Sequence, residues 1–188
     1  MPSPEHGAAT GALARYMEYE LVKMGYWATD AITSYSGSGI RINDKGKDAD
    51  FGWGRSDRPD EEGVRLTVAV EVGISEASTV LKRDIDFWLN PNFAKGNLVI
   101  AIKVHEDRAE IEIDSWELDQ WDHVHRVAHL QISKGNKKGA ISVCGDPLII
   151  SFENLVGRPR ITRSEKDIII SKAALQVLAK KVSKEQKL

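Results

Sequence analysis

The chain has 188 residues, 41% hydrophobic and 29% charged, with a formal net charge of -2, a profile that suits a single ordinary-sized domain, residues 1–188, around one core. No apolar run approaches the ~20 residues of a membrane helix, and "MPSPEHGAATGA" has no basic-then-apolar leader. Cys144 is the single cysteine, so an intrachain disulfide is excluded and an intracellular setting, cytoplasmic or nuclear and without a membrane, is expected.

Residues 7–24 predict an amphipathic helix, with Leu13, Tyr16, Met17, Leu21 and Met24 at three- and four-residue spacing and Gly25 to end it. Glu20 falls on that apolar face. Ser34 to Gly39 reads as a turn or mobile loop, Ile40 and Ile42 as a short strand, and "NDKGKDADFGW" as a turn leading into a strand at Ala49-Asp50-Phe51. Leu66 to Val72 predicts the central strand. Ile74 to Leu89 then turns helical, with Ser75 and Glu76 at its N-terminus and Leu81, Ile85 and Trp88 along one side. Leu98 to Val104 predicts a buried strand, and "RAEIEIDSWEL" an alternating one. Ala140 to Cys144 and Leu148 to Phe152 read as short strands, and a closing helix spans about 171–183 before a frayed tail at 184–188. The order implies an α/β fold: a mixed sheet flanked by helices, with a crossover joining strands 66–72 and 98–104.

Charge is spread unevenly. Residues 1–125 hold 13 Lys/Arg and 23 Asp/Glu, a net of -10, whereas residues 126–188 hold 13 and 5, a net of +8. Such asymmetry suits an acidic chemical site beside a basic surface that receives substrate, and equally two solvated faces of opposite sign.

Within the acidic part, Asp50 and Glu71 stand at or near strand ends. If the strands are neighbours, the two carboxylates converge at one sheet edge and repel unless a proton or cation lies between them. Oxygen donors of this kind, with a backbone carbonyl, suit Mg²⁺ or Mn²⁺. The plain alternative is a pair of solvated strand-end carboxylates.

"KDADFGW", "TVAVEVGISEASTVLKRDIDFWL" and "NLVIAIKV" resemble the PD-(D/E)XK nuclease-like superfamily, most of all a group of fungal proteins with an Asp-bearing strand, a Glu-Val-Gly-x-Ser turn and an Asp-x-x-x-Trp helix. "GDPLIISFENLVGRPRITRSEKDIII" is similar to that group's ending. The resemblance implies a restriction-endonuclease-like core of four strands, extended here by C-terminal strands and the closing helix. It also implies divalent-metal-dependent hydrolysis of phosphodiester bonds in DNA or RNA. Asp50 and Glu71 match the acidic motif positions, the Val72 carbonyl would add a ligand, and Glu20 matches the first-helix glutamate. The motif lysine's place is taken by Gly73, so the catalytic cation would come from Lys82 or Lys47, or be lost. A lost lysine would leave a module that binds nucleic acid or a protein partner, a second copy included, without cutting.

The remaining signals are weaker. Lys134, Lys137 and Lys138 read as a charged hairpin turn, and with Arg158, Arg160 and Arg163 they are candidates for contact with a phosphate backbone. His125 and His129 share a face whether helical or extended, but no third zinc ligand follows. Asp84, near the Leu81 and Trp88 side of its helix, either approaches the acidic site or pairs with a neighbouring cation. Cys144 reads as a packed small side chain.

Overall fold

The computed structural model describes residues 3–26, 32–37, 39–42, 45–55, 66–74, 78–135 and 140–186. In chain order these form α1 (Pro4–Lys23), β1 (Ile32–Ser36), β2 (Gly39–Ile42), β3 (Lys45–Asp48), β4 (Phe51–Arg55), β5 (Leu66–Ile74), α2 (Ser78–Leu89), β6 (Leu98–Val104), β7 (Glu110–Leu118), β8 (Val124–Lys134), β9 (Ile141–Gly145), β10 (Leu148–Ile150), α3 (Phe152–Val156), β11 (Ile168–Ile170) and α4 (Lys172–Gln186). Helix α1 starts where the sequence supplies a cap. The Ser3 hydroxyl accepts from the His6 amide, and Pro4 stands in the first turn, where no N–H is needed.

Seven strands form the main sheet in the order β1-β4-β5-β6-β7-β8-β9. Strands β5 and β6 are parallel, joined through α2 as parallel neighbours must be, and the other pairs in this sheet are antiparallel. Alternation then sorts the two faces. Val68, Val70 and Val72 of β5, with Ile100, Ile102, Ile111, Ile113, Leu130 and Ile132 of β6 to β8, join the larger core together with α1 and α4 side chains. Ala69, Val99 and Ala101 point the other way, against Ile85, Trp88 and Leu89 of α2. Beyond α2, that second face turns polar. The pairing register puts Lys103, Glu112 and Gln131 in one row, Ala101, Asp114 and His129 in the next, and Val99, Trp116 and Arg126 after a shift.

Four local readings change. Ser34 to Ser36, expected as a turn, belong to edge strand β1, where Tyr35 opposes Gly52 and Ser34 opposes Trp53; a ready β4 edge outweighs the local Ser/Gly preference. Lys45 to Asp48 pair with β2 as a hairpin. Phe152 opens a short helix, capped by the Ser151 hydroxyl and ended by Gly157 at φ 72. The closing helix runs on to Gln186, past the point where fraying was expected. The core of four strands is thereby widened to seven. Ser75 and Glu76 lie outside the described residues.

Gly145 closes β9 at φ 106, and a Cβ there would run into the His129 carbonyl. Gly145→Ala is therefore expected to lower unfolding free energy by roughly 2–4 kcal/mol, as both the left-handed backbone and the clash oppose it. A urea midpoint shifted by less than the error of the measurement would refute this.

Candidate functional site

Asp50 occupies the bend between β3 and β4. Phe51 opposes Val70, so the antiparallel register sets Asp50 beside Glu71. Because β4 begins only at Phe51, the Val72 amide has no ladder partner on that side. The Asp50 carboxylate takes the role: its Oδ2 accepts from Val72 N at 2.7 Å. Its Oδ1 lies 2.9 Å from His6 Nε2, at the start of α1. His6 was not singled out in the sequence, since only the packing of α1 against this sheet edge brings it here.

Glu71, expected near a strand end, lies within β5, which runs on to Ile74; it points toward α2 and is 4% exposed. Its Oε1 accepts from the Trp88 indole N–H and lies 3.4 Å from Lys47 Nζ. The same ammonium is 3.0 Å from Asp84 Oδ2. Asp84 and Trp88 are four apart on α2, so one helix face delivers both to this point. Lys47 comes from the β2–β3 hairpin, directly before the Asp50 bend.

Burial is the main cause that pushes the Glu71 carboxyl up, to about 7; Lys47 and the Trp88 hydrogen bond pull it down, and the Asp50 and Asp84 charges add to the rise. Burial alone would lower the Lys47 ammonium, but Glu71 and Asp84 outweigh it and the net shift is upward. Trp88→Phe keeps most of the buried volume and removes the indole donor. It is expected to cost about 1–3 kcal/mol, with a greater loss at pH 8 than at pH 5, where Glu71 is protonated. Equal losses at both pH values would show that the hydrogen bond to the carboxylate is not what matters.

The structure thus brings Glu71, Lys47 and Asp84 into contact, while Asp50, turned to the Val72 amide and His6, reaches Glu71 only through its charge and does not converge with it as expected. It places Lys47, not Lys82, on Glu71; Lys82 is exposed on α2 and lines a separate groove. Glu20 lies 14 residues after His6, roughly 21 Å along α1, and its carboxylate meets Lys23 at 2.9 Å and Lys166 at 3.6 Å.

The basic residues of the C-terminal third also lie elsewhere. Arg158 pairs with Glu165 at 2.7 Å and donates to Tyr26 Oη, Arg160 pairs with Asp167 at 2.6 Å, and Arg163 is exposed in the same loop. Arg158 foremost, with the Ile161 and Thr162 amides, holds the Glu165 carboxyl far below the usual range. This loop meets Arg55 next to Gly157, at the end of β4 opposite Phe51. Lys134 closes β8, and Lys137 and Lys138 lie outside the described residues. His129 turns to Asp114 at 2.7 Å. Cys144 is exposed, not packed.

The donor atoms of His105, Glu110 and Glu112 lie within 4.8 Å of one another, whereas Asp50, in the bend before β4, and Glu71, within β5, face different partners. Asp50 lies against the Val72 amide and α1, and Glu71 against α2. What links them is charge.

No protein-family model matches the chain, and neither does any curated protein. Among solved structures it is similar to a protein from Anabaena variabilis described, provisionally, as a nuclease belonging to DUF820. The TM-score is 0.49 and the identity 10%, over 97% of this chain and 84% of that one. Among the described residues no helix is long and apolar enough to cross a membrane.

Proposed function

We propose that the chain is a nuclease-like domain that hydrolyses phosphodiester bonds in nucleic acid with a divalent cation at Asp50 and Glu71. The observation that carries this reading is charge imbalance. The Asp50 and Asp84 charges both act on Glu71, Lys47 is the ammonium that contacts Glu71 and Asp84, and beside it, among the described residues, stand only the exposed Arg83, 3.8 Å from Asp84, and His6 on Asp50. Three carboxylates against one half-buried ammonium and one exposed guanidinium leave an excess that a hard cation offsets.

Asp50, Glu71 and the Val72 carbonyl are the groups that would hold Mg²⁺ or Mn²⁺, which when bound polarises a phosphate oxygen and lowers the pKa of water. Lys47 keeps Glu71 and Asp84 from repelling each other before the ion arrives. It is then the nearest protein cation to a phosphate at Glu71, in place of a side chain at position 73. Trp88 fixes the Glu71 carboxylate through its indole N–H, and His6 orients Asp50.

A second reading is favoured by the protein donors already on these carboxylates. Both oxygens of Asp50 and Oε1 of Glu71 are met by protein groups. A module that binds nucleic acid or a protein partner, without an ion, would need nothing more at this spot.

Calorimetric titration with Mn²⁺, beside cutting of plasmid and single-stranded substrates, separates the two. Asp50→Ala and Glu71→Gln are each expected to lower cutting by at least about 100-fold, the scale of losing a main electrostatic contact to a transition state. Nucleic-acid binding in EDTA with no cutting under Mg²⁺ or Mn²⁺ would favour the module. Mn²⁺ affinity unaltered in both variants would remove these residues from the metal site.

A further inference from the structure

A groove between α1 and α4 lies apart from Asp50 and Glu71. Tyr16, on its wall, comes ten residues after His6, roughly 15 Å along α1. The groove encloses about 480 Å³, lined by Ala12, Tyr16 and Tyr19 of α1 and by Ala174 and Val177 of α4 among others. These residues recur three and four apart, so each helix turns an apolar stripe to it. Tyr19 is 59% exposed and Val177 51%, so two large apolar side chains stand open to water at one depression. The hydroxyls beside them are already used: Tyr16 donates to the Ile169 carbonyl at 3.0 Å, and Ser171 accepts from the Ala174 amide at 3.2 Å.

Two cations, Arg15 and Lys181, also line the groove, and among the described residues no carboxylate does. Arg15 precedes Tyr19 by one helical turn and Lys181 follows Val177 by one, so each cation stands beside an apolar side chain of the groove. Neither has an acidic partner among the described residues. This charge argues against a second copy of the chain as occupant, since a two-fold axis would set the same two cations against themselves. It calls instead for an anion with an apolar body.

Shape narrows the choice further. Along α4 the groove runs from Ser171 to Lys181, about 15 Å at the helical rise, so its volume leaves a cross-section of roughly 30 Å². A docked helix, about 10–12 Å across with its side chains, has a section several times larger. An extended peptide would lay unpaired N–H and C=O groups on apolar side chains. An acyl chain is narrow and carries no such groups. We propose that the groove binds a fatty acid, its chain along Tyr16, Tyr19 and Val177 and its carboxylate drawn by Arg15 and Lys181.

The test is calorimetric titration of the full chain with sodium dodecanoate below its micelle concentration, beside melting curves. A methylene that enters an apolar site adds up to about fourfold in affinity, so dodecanoate is expected to bind at least about tenfold more tightly than octanoate. It should also raise the melting temperature, as a ligand of the folded state does. Arg15→Glu/Lys181→Glu should weaken dodecanoate at least about tenfold. If that double variant melts early without ligand, Arg15→Gln, an exposed change, should still weaken binding several-fold. The inference is overturned if dodecanoate fails to bind or lowers the melting temperature, if these variants bind it like the parent, or if octanoate binds as tightly. Equal binding of dodecyltrimethylammonium, of like chain and opposite charge, would also overturn it. So would a protein occupant: a dimer in sedimentation that Val177→Asp dissociates, or a glutamate-rich amphipathic helical peptide that binds where dodecanoate does not. Neither readout involves metal or cutting, so the outcome leaves the reading of Asp50 and Glu71 untouched.

Discussion

Glu71→Gln is expected to raise the melting temperature at pH 8 by several degrees, to change it little at pH 5, and to abolish metal-dependent cutting. The first two effects follow from where the carboxyl gains and loses its proton. Its value rises from 4.5 to about 7 on folding. Below about pH 4.5 the group is neutral in both states, so it makes no difference to stability. Between 4.5 and 7 the unfolded chain releases the proton while the folded chain retains it, and stability falls as pH rises. Above 7 both are ionised and the full penalty stands, on the order of 3 kcal/mol for a shift of this size in a group so deeply buried.

Glutamine carries no charge, and its oxygen still accepts the Trp88 indole N–H. The same oxygen faces Lys47 as a neutral dipole in place of a charge, which takes back part of the gain. A net of about 1–3 kcal/mol corresponds to several degrees for a chain of this length. Thermal melts across pH 5–8 provide the check. A variant that is less stable than the parent at pH 8 would mean that Lys47 and Trp88 overcompensate the burial of Glu71. A residue whose replacement stabilises the fold while removing activity is held for chemistry, against stability.

Much of this was legible in residues whose local pattern and tertiary role agree. Leu66 to Val72 and Leu98 to Val104 are apolar without alternation because both faces are covered, and the helix between them makes the pair parallel. Asp50 and Glu71 were readable as carboxylates at or near strand ends, Asp50 on the short strand at Ala49-Asp50-Phe51 and Glu71 on the central one, although β5 in fact runs on past Glu71 to Ile74. Their partners were less so. Lys47 is one of two lysines in a stretch that reads as a turn, and only the β2–β3 hairpin lifts its ammonium onto Glu71. His6 lies in the first turn of a helix, 44 residues before Asp50, and sequence spacing carries no trace of that contact.

Trp88 and Asp84 left a clearer signal, four apart and near one face, although burial of a tryptophan is its ordinary fate. Glu20 shows the opposite failure. Its place on the inward face of α1 was right, but a helix of 20 residues has two ends, and the sequence does not say which one meets Asp50. The basic C-terminal third misled for a related reason. Net charge along the chain says nothing about which arginines are spent on internal pairs, as Arg158 is on Glu165 and Arg160 on Asp167.

Lys47→Met is expected to lower unfolding free energy at pH 8 by about 3 kcal/mol and to make the chain's stability depend on divalent metal. Removing one partner of a buried ion pair leaves the other charged group without compensation. Here the ammonium serves two carboxylates, Glu71 at 3.4 Å and Asp84 at 3.0 Å. Without it Glu71 keeps its proton to still higher pH, so the loss should be smaller at pH 5 than at pH 8. Methionine preserves the stem and therefore isolates the charge.

Mn²⁺ then decides what the lysine is for. If the ammonium stands where an ion would, Mn²⁺ should bind the variant more tightly than the parent and restore its melting temperature, because the competing cation is gone. If Lys47 instead assists a phosphate already beside the ion, Mn²⁺ binding should survive while kcat falls and KM changes little. A variant that neither gains from Mn²⁺ nor loses cutting would leave Lys47 as a structural counter-charge to Glu71 and Asp84.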